Sequence, residues 1–277
     1  KELILSIRHP FLSSPLYVSS TRFQISLYTK YETCDILYNQ INRKKGLPMT
    51  TVKFYTAQLC EAIGFLHSIG IIHGNLNSRN IFIDEKGNIR VAGFGLNEKL
   101  HKTLINGKNL KESYQNFLLQ HVIEKDLNHL FDCLAPEAFY NDEYSPAIDW
   151  WSLGIIVYEM VYGKSPFYSK NLQKMITKIV LNDPVMDYKN IENVNNAFIE
   201  CLLQKDPIER IGSDGDFEIV ESHPFFKNFD FVALRRGELV NELRPDVKDK
   251  CIFSNLGIDI MKNVNNQSVF KGTEPEV

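Results

Sequence analysis

Ile72-His73-Gly74-Asn75-Leu76-Asn77-Ser78-Arg79-Asn80 is the stretch on which the reading of this chain turns. Ahead of it, Thr50 to Ser68 carries a helical face, because Tyr55, Leu59, Ala62 and Leu66 recur at steps of four, three and four. Thr50 or Thr51 is placed to cap that helix, and Gly70 follows its end. Behind the stretch, Ile81-Phe82-Ile83-Asp84 and Ile89-Arg90-Val91 flank Glu85-Lys86-Gly87-Asn88. The Gly and Asn signal a turn, so a short β-hairpin is predicted. Ala92-Gly93-Phe94-Gly95-Leu96 comes next. Neither the nine-residue stretch nor this second loop contains a carboxylate.

Composition sets the outer bounds. The 277 residues are 44% hydrophobic and 23% charged, enough for one large globular unit or two small ones. A net charge of −3 gives no nucleic-acid footprint. Cys34, Cys60, Cys133, Cys201 and Cys251 are scattered, with no C-x-x-C pair and no His/Cys zinc spacing. That pattern predicts reduced thiols and an intracellular, cytoplasmic setting. No apolar run is long enough to span a bilayer, and no secretory signal is visible at the start.

The two loops resemble the catalytic and metal-binding loops of eukaryotic protein kinases, H-R-D-L-x-x-x-x-N followed by D-F-G. His73, Leu76, Asn80, Phe94 and Gly95 match that frame. The charged positions do not: Gly74 stands for the Arg, Asn75 for the catalytic Asp, and Gly93 for the D-F-G Asp. A Lys usually follows the catalytic Asp by two residues; here it is Asn77. Ala135-Pro136-Glu137 matches A-P-E. Asp149-Trp150-Trp151-Ser152-Leu153-Gly154 matches D-x-W-S-x-G, opening a helix apolar on nearly every side and so buried at the centre. Asp206-Pro207-Ile208-Glu209-Arg210 resembles the late-helix motif whose Arg pairs with the A-P-E Glu, so a buried Glu137–Arg210 pair is expected. His223-Pro224-Phe225-Phe226 and Phe229 to Leu234 resemble the start of the C-terminal extension of the AGC group, the relatives of cyclic-AMP-dependent kinase and protein kinase B. The resemblance covers roughly residues 1–235. It implies an α+β protein-kinase-like fold, mainly the helical large lobe with a remnant of the small-lobe sheet.

It also implies a division of the chain. Residues 1–31 would hold the end of the C-helix, two small-lobe strands near 16–20 and 23–28, and the hinge. Residues 32–226 would form the large lobe, with a long activation segment at 93–137, and residues 227–277 an AGC-like tail. The Gly-rich loop and the nucleotide Lys would lie upstream of Lys1, and two strands alone are too few for an independent sheet. Without a starting Met, the sequence reads as a fragment or a processed product. Asp126 falls at the phosphorylated Thr position, although its Arg partner has become Gly74.

For nucleotide contact the resemblance points to Tyr28 at the gatekeeper position, Thr29 and Tyr31 in the hinge, Asp35 near the ribose, and Phe82 on the strand under the adenine. Asp35 also reads as a helix cap, and Phe82 as ordinary core. His73, Phe94 and Asp149 belong to the structural frame.

Phosphoryl transfer needs a base for the hydroxyl proton and metal-held phosphates. The Asn75 amide is no base near neutral pH, and a positioned base is worth roughly 10²–10⁴ in rate. Gly93 offers no metal ligand, and Asn80 alone does not make a hard-cation site. The resemblance therefore implies no cofactor for the chain as it stands, ATP and Mg²⁺ entering only if a small lobe supplies the rest of a site. Three readings follow. The first is a catalytically inactive AGC-type kinase homologue acting as scaffold or allosteric partner of proteins in a signalling complex. The second is a divergent active Ser/Thr kinase. The third is a module sensing nucleotide without metal.

Overall fold

The computed structural model describes residues 5–20, 25–29, 35–94, 131–139, 145–213 and 217–241. All of them fall in one compact unit, Lys1–Pro245. The elements in order are β1 (Pro15–Ser20), β2 (Ile25–Thr29), β3 (Asp35–Ile36), α1 (Leu37–Lys44), α2 (Met49–Ser68), β4 (Ile81–Ile83) and β5 (Ile89–Val91). A 3₁₀ turn at Pro136–Phe139 precedes α3 (Ala147–Tyr162), α4 (Leu172–Leu181), α5 (Asn193–Leu202), α6 (Phe217–Ser222), a second 3₁₀ turn at Pro224–Phe226 and α7 (Phe231–Arg235). The fold class is the expected α+β. Tyr31, most of the expected activation segment with Asp126, and the tail beyond 241 lie outside the described residues.

The core is built round α3. From Ala147 to Met160 every side chain is buried, including both tryptophans. Burying an aromatic of that size contributes on the order of 5 kcal/mol of transfer free energy. Gly154 lets α5 approach: a Cβ there would sit 2.8 Å from Leu202 Cβ. The second long helix, α2, is buried on more than the one face its periodicity advertised. Its N-terminus is Pro48, with no side-chain cap. Thr51 is instead buried, and its hydroxyl donates to Asn241 Oδ1 at 3.4 Å. The helix begins at Met49, so Thr50 and Thr51 both lie inside its first turn and neither occupies the cap position expected of them.

Among the described residues the strands are few and short, and β1 and β2 pair with each other, antiparallel with a bulge between Pro15 and Tyr17. β3, β4 and β5 form a separate antiparallel sheet in that order. The β4–β5 turn is tied by Asp84, whose Oδ1 accepts the Lys86 and Asn88 amides at 2.9 Å each. Gln58 of α2, fully buried, locks the hairpin to the helix: its amide donates to Asn88 Oδ1 and its Oε1 accepts from Ile89 N, both at 2.8 Å. Phe11 and Ser13 run alongside β5, each bonded to the Val91 backbone at 2.8 Å.

Phe198 of α5 and Phe225, Phe226, Phe229 and Phe231 beyond it form one aromatic cluster. Arg235 of α7 bridges Glu61 of α2 and Glu221 of α6, both at 2.8 Å.

His9 couples the N-terminal segment to α2 by stacking on Phe65 at 4.9 Å, while its Nδ1 accepts the Phe11 amide at 3.3 Å. Burial, aided by the Arg90 charge, lowers its pKa to about 4. The folded state thus resists protonating His9, so its stabilising contribution is complete above about pH 6.5 and is lost as pH falls towards 4. Over that window the melting temperature of the wild type should fall more steeply than that of His9→Phe, compared by thermal denaturation at each pH.

Candidate functional site

The stretch 72–80 hangs from one buried carboxylate. Asp149, in the first turn of α3, is 1% exposed. Its Oδ2 accepts the His73 amide and its Oδ1 the Gly74 amide, each at 2.8 Å. His67, at the end of α2, donates from Nε2 to the same Oδ2 at 2.8 Å. The loop is thereby clamped between the two central helices. Gly74 has φ +71°, a left-handed conformation that glycine adopts without the Cβ penalty. His73 is buried, and its ring meets Phe94 edge-on at 6.3 Å. Its Nδ1 accepts the Asn75 amide at 3.2 Å, so the neutral ring carries its proton on Nε2. Burial pushes the His73 pKa down, against the opposing pull of Asp149.

The three asparagines come together. Asn80 Nδ2 donates to the Asn75 carbonyl at 2.9 Å. Asn77 Nδ2 donates to the same carbonyl at 3.0 Å and to Asn75 Oδ1 at 3.3 Å. Asn77 is 5% exposed and turned into the loop, not outward as a lysine reaching for phosphate would be. Gly93 faces the cluster: a Cβ on it would lie 3.6 Å from Asn80 Nδ2 and 3.9 Å from Asn75 Nδ2. What converges here is a set of neutral amides. Among the described residues, no group of three or more His, Cys, Asp or Glu is placed to hold a metal ion. A hard divalent cation wants carboxylate oxygens, and the side chains of Asn75, Asn77, Asn80 and Gly93 provide none.

The residues expected at a nucleotide scatter differently. Tyr28 is exposed, with its ring 5.7 Å from Tyr17. Thr29 ends β2, also exposed. Asp35 does not cap a helix: it pairs with Ile83 in the β3–β4 ladder, and α1 starts after Ile36. Its carboxylate is bound by Arg43 of α1 and accepts the Ile36 amide at 2.9 Å. Phe82 sits in β4, half-buried, opposite Ile36 and Arg90.

The A-P-E glutamate and the late arginine meet as a bidentate pair. Arg210 Nη1 and Nη2 reach the two Glu137 oxygens at 2.6 and 2.9 Å, with both side chains almost fully buried. Arg210 also donates to the carbonyls of Ala147 and Gln204, and its guanidinium lies 5.2 Å from the Trp151 ring. Ser152 fastens the preceding segment to α3 by donating to the Cys133 carbonyl at 3.1 Å. Sequence reasoning missed Gln58 and His67. The only signal for either was a polar side chain within a helix otherwise rich in apolar residues.

Two stability measurements test this geometry. Arg210→Leu strands a buried carboxylate and should cost about 3–5 kcal/mol in denaturant unfolding; Glu137→Leu placed on top of it should restore a substantial part. Gly93→Asp should cost only about 1 kcal/mol in the same assay, because the left-handed backbone is tolerable for aspartate and the nearest atoms leave ordinary contact distance.

The protein kinase domain family model matches residues 1–226. Serine/threonine-protein kinase Sgk1 of Fundulus heteroclitus is 30% identical over 245 residues, which is 88% of this chain and 53% of that protein. Sgk1 of Danio rerio is 31% identical over 245 residues, 88% of this chain and 52% of its own length. Sgk1 of Homo sapiens is 30% identical over 245 residues, with 88% and 53% covered. The chain thus spans about half the length of the curated relatives it matches. It belongs to the protein kinase domain family, in the AGC serine/threonine group.

Proposed function

We propose that this kinase-family domain does not transfer phosphate and works instead by binding other proteins, as a scaffold or allosteric partner within an intracellular signalling complex. The observation that carries the reading is the amide cluster of Asn75, Asn77 and Asn80 facing Gly93. A base, a cation and a metal-binding carboxylate are all absent from positions where the family's chemistry calls for them. Each loss acts on a different part of the barrier: proton acceptance, phosphate charge, and metal polarisation. Losses of that kind compound, so a turnover of about 1–100 s⁻¹ typical of kinases falls by many decades.

The preserved scaffold supports the same reading. Asp149 still clamps the loop, and Arg210 still pairs with Glu137. The domain therefore keeps the framework while its reactive side chains are replaced. Among the described residues no helix is long and apolar enough to cross a membrane. ATP and Mg²⁺ are not required for this role.

A radiolabelled phosphate-transfer assay with generic protein acceptors and Mg²⁺ or Mn²⁺ tests the proposal. Label incorporation should stay at background for the wild type and be identical in Asn80→Ala. Transfer above background that Asn80→Ala abolishes would overturn it. A thermal shift with millimolar ATP that persists in EDTA would instead move the role towards nucleotide sensing.

A further inference from the structure

We propose that Asn77 is a positioning residue that braces the loop from within, its neutral side chain holding the backbone from Asn75 to Asn80 in one path. The brace goes beyond the reading of the domain as inactive and does not depend on it.

The hydrogen-bond inventory carries the argument. A primary amide has two donor hydrogens and two acceptor lone pairs. In Asn77 all four are engaged inside the loop. Nδ2 donates to the Asn75 carbonyl at 3.0 Å and to Asn75 Oδ1 at 3.3 Å. Oδ1 accepts the Arg79 amide at 3.0 Å and the Asn80 amide at 3.2 Å. The Asn80 amide also reaches the Asn77 carbonyl at 3.0 Å, so it shares its hydrogen, whereas Oδ1 is the partner recorded for Arg79. Asn77 is 5% exposed. The brace therefore joins residues 75, 77, 79 and 80, and Asn80 closes a second link to the same Asn75 carbonyl at 2.9 Å.

A lysine at this position could not do this. It has three donors and no acceptor, so it cannot take the Arg79 and Asn80 amides. Its charge would also have to leave the pocket that the amide occupies. Aspartate could accept both amides but would set a carboxylate against the Asn75 carbonyl and Oδ1. Asparagine alone among these three supplies donors on one side and acceptors on the other.

Amide hydrogen exchange resolved at single residues, by NMR on the full chain, reads this directly. Asn77→Lys and Asn77→Ala should speed exchange of the Arg79 amide at least tenfold, relative to Arg79 in the wild type. Asn77→Asp should retain most of that protection, because the acceptor half survives. If Asn77→Lys does not fold, the contrast between Asn77→Ala and Asn77→Asp decides the matter. Unchanged Arg79 exchange in Asn77→Ala, or equal loss in Asn77→Asp and Asn77→Ala, would overturn the brace. Neither result touches catalytic inactivity, which fails only if the wild type transfers phosphate.

Discussion

A carboxylate buried at the start of α3 holds the arrangement together. Asp149 lies in the first turn of a helix buried along nearly its whole length, where an ionised group without partners would be expensive. Three donors at 2.8 Å meet it: the His73 and Gly74 amides and the His67 ring. Charge-assisted bonds of this kind are roughly twice as strong as neutral ones, and they satisfy two backbone amides of a loop that has no ladder of its own. The loop's path follows from that clamp, and Gly74 supplies the left-handed turn that lets two successive amides converge on one carboxylate.

The Glu137–Arg210 pair solves a similar problem with the opposite sign of sequence distance. It joins residues 73 positions apart and anchors the segment after residue 131 to the helical core. A buried ion pair is weak evidence of net stability, since dehydrating both ions offsets their attraction. Its value lies in specificity. With two parallel bonds to Glu137, further bonds to two carbonyls and an aromatic wall at Trp151, only one geometry satisfies the guanidinium. Ser152 adds a neutral tie from the same helix to Cys133. Both clamps are formed here, and amides and glycine stand at positions 75, 77, 80 and 93.

The replacements are not inert vacancies. Asn75, Asn77 and Asn80 bond to one another and to the loop backbone. These bonds tie the loop together through the chain's own amides. Order in this loop is therefore built into the chain. The Gly93 backbone keeps the left-handed conformation, φ +82°, although no side chain depends on it.

The sequence by itself determined the class of fold, the family frame and which residue types stand at each motif position. Those are local facts: residue types at fixed spacing, such as Asn75 and Asn77 within one loop, or the run from Asp149 to Gly154. It also anticipated the Glu137–Arg210 pair, because two motifs named both ends. It did not foresee that Thr51 would be buried against Asn241 and leave α2 uncapped, or that Asp35 would join the β3–β4 ladder and take Arg43 as partner. Nor did it reveal Gln58 gripping the hairpin, His67 on Asp149, or the inward turn of Asn77. For Gln58, His67 and Thr51 the outcome depends on which buried donor finds which acceptor, 30, 82 and 190 residues away. Spacing along the chain fixes a residue's face on its own element. Only packing of the elements decides what that face meets, because the cost of an unsatisfied buried polar group is settled in three dimensions.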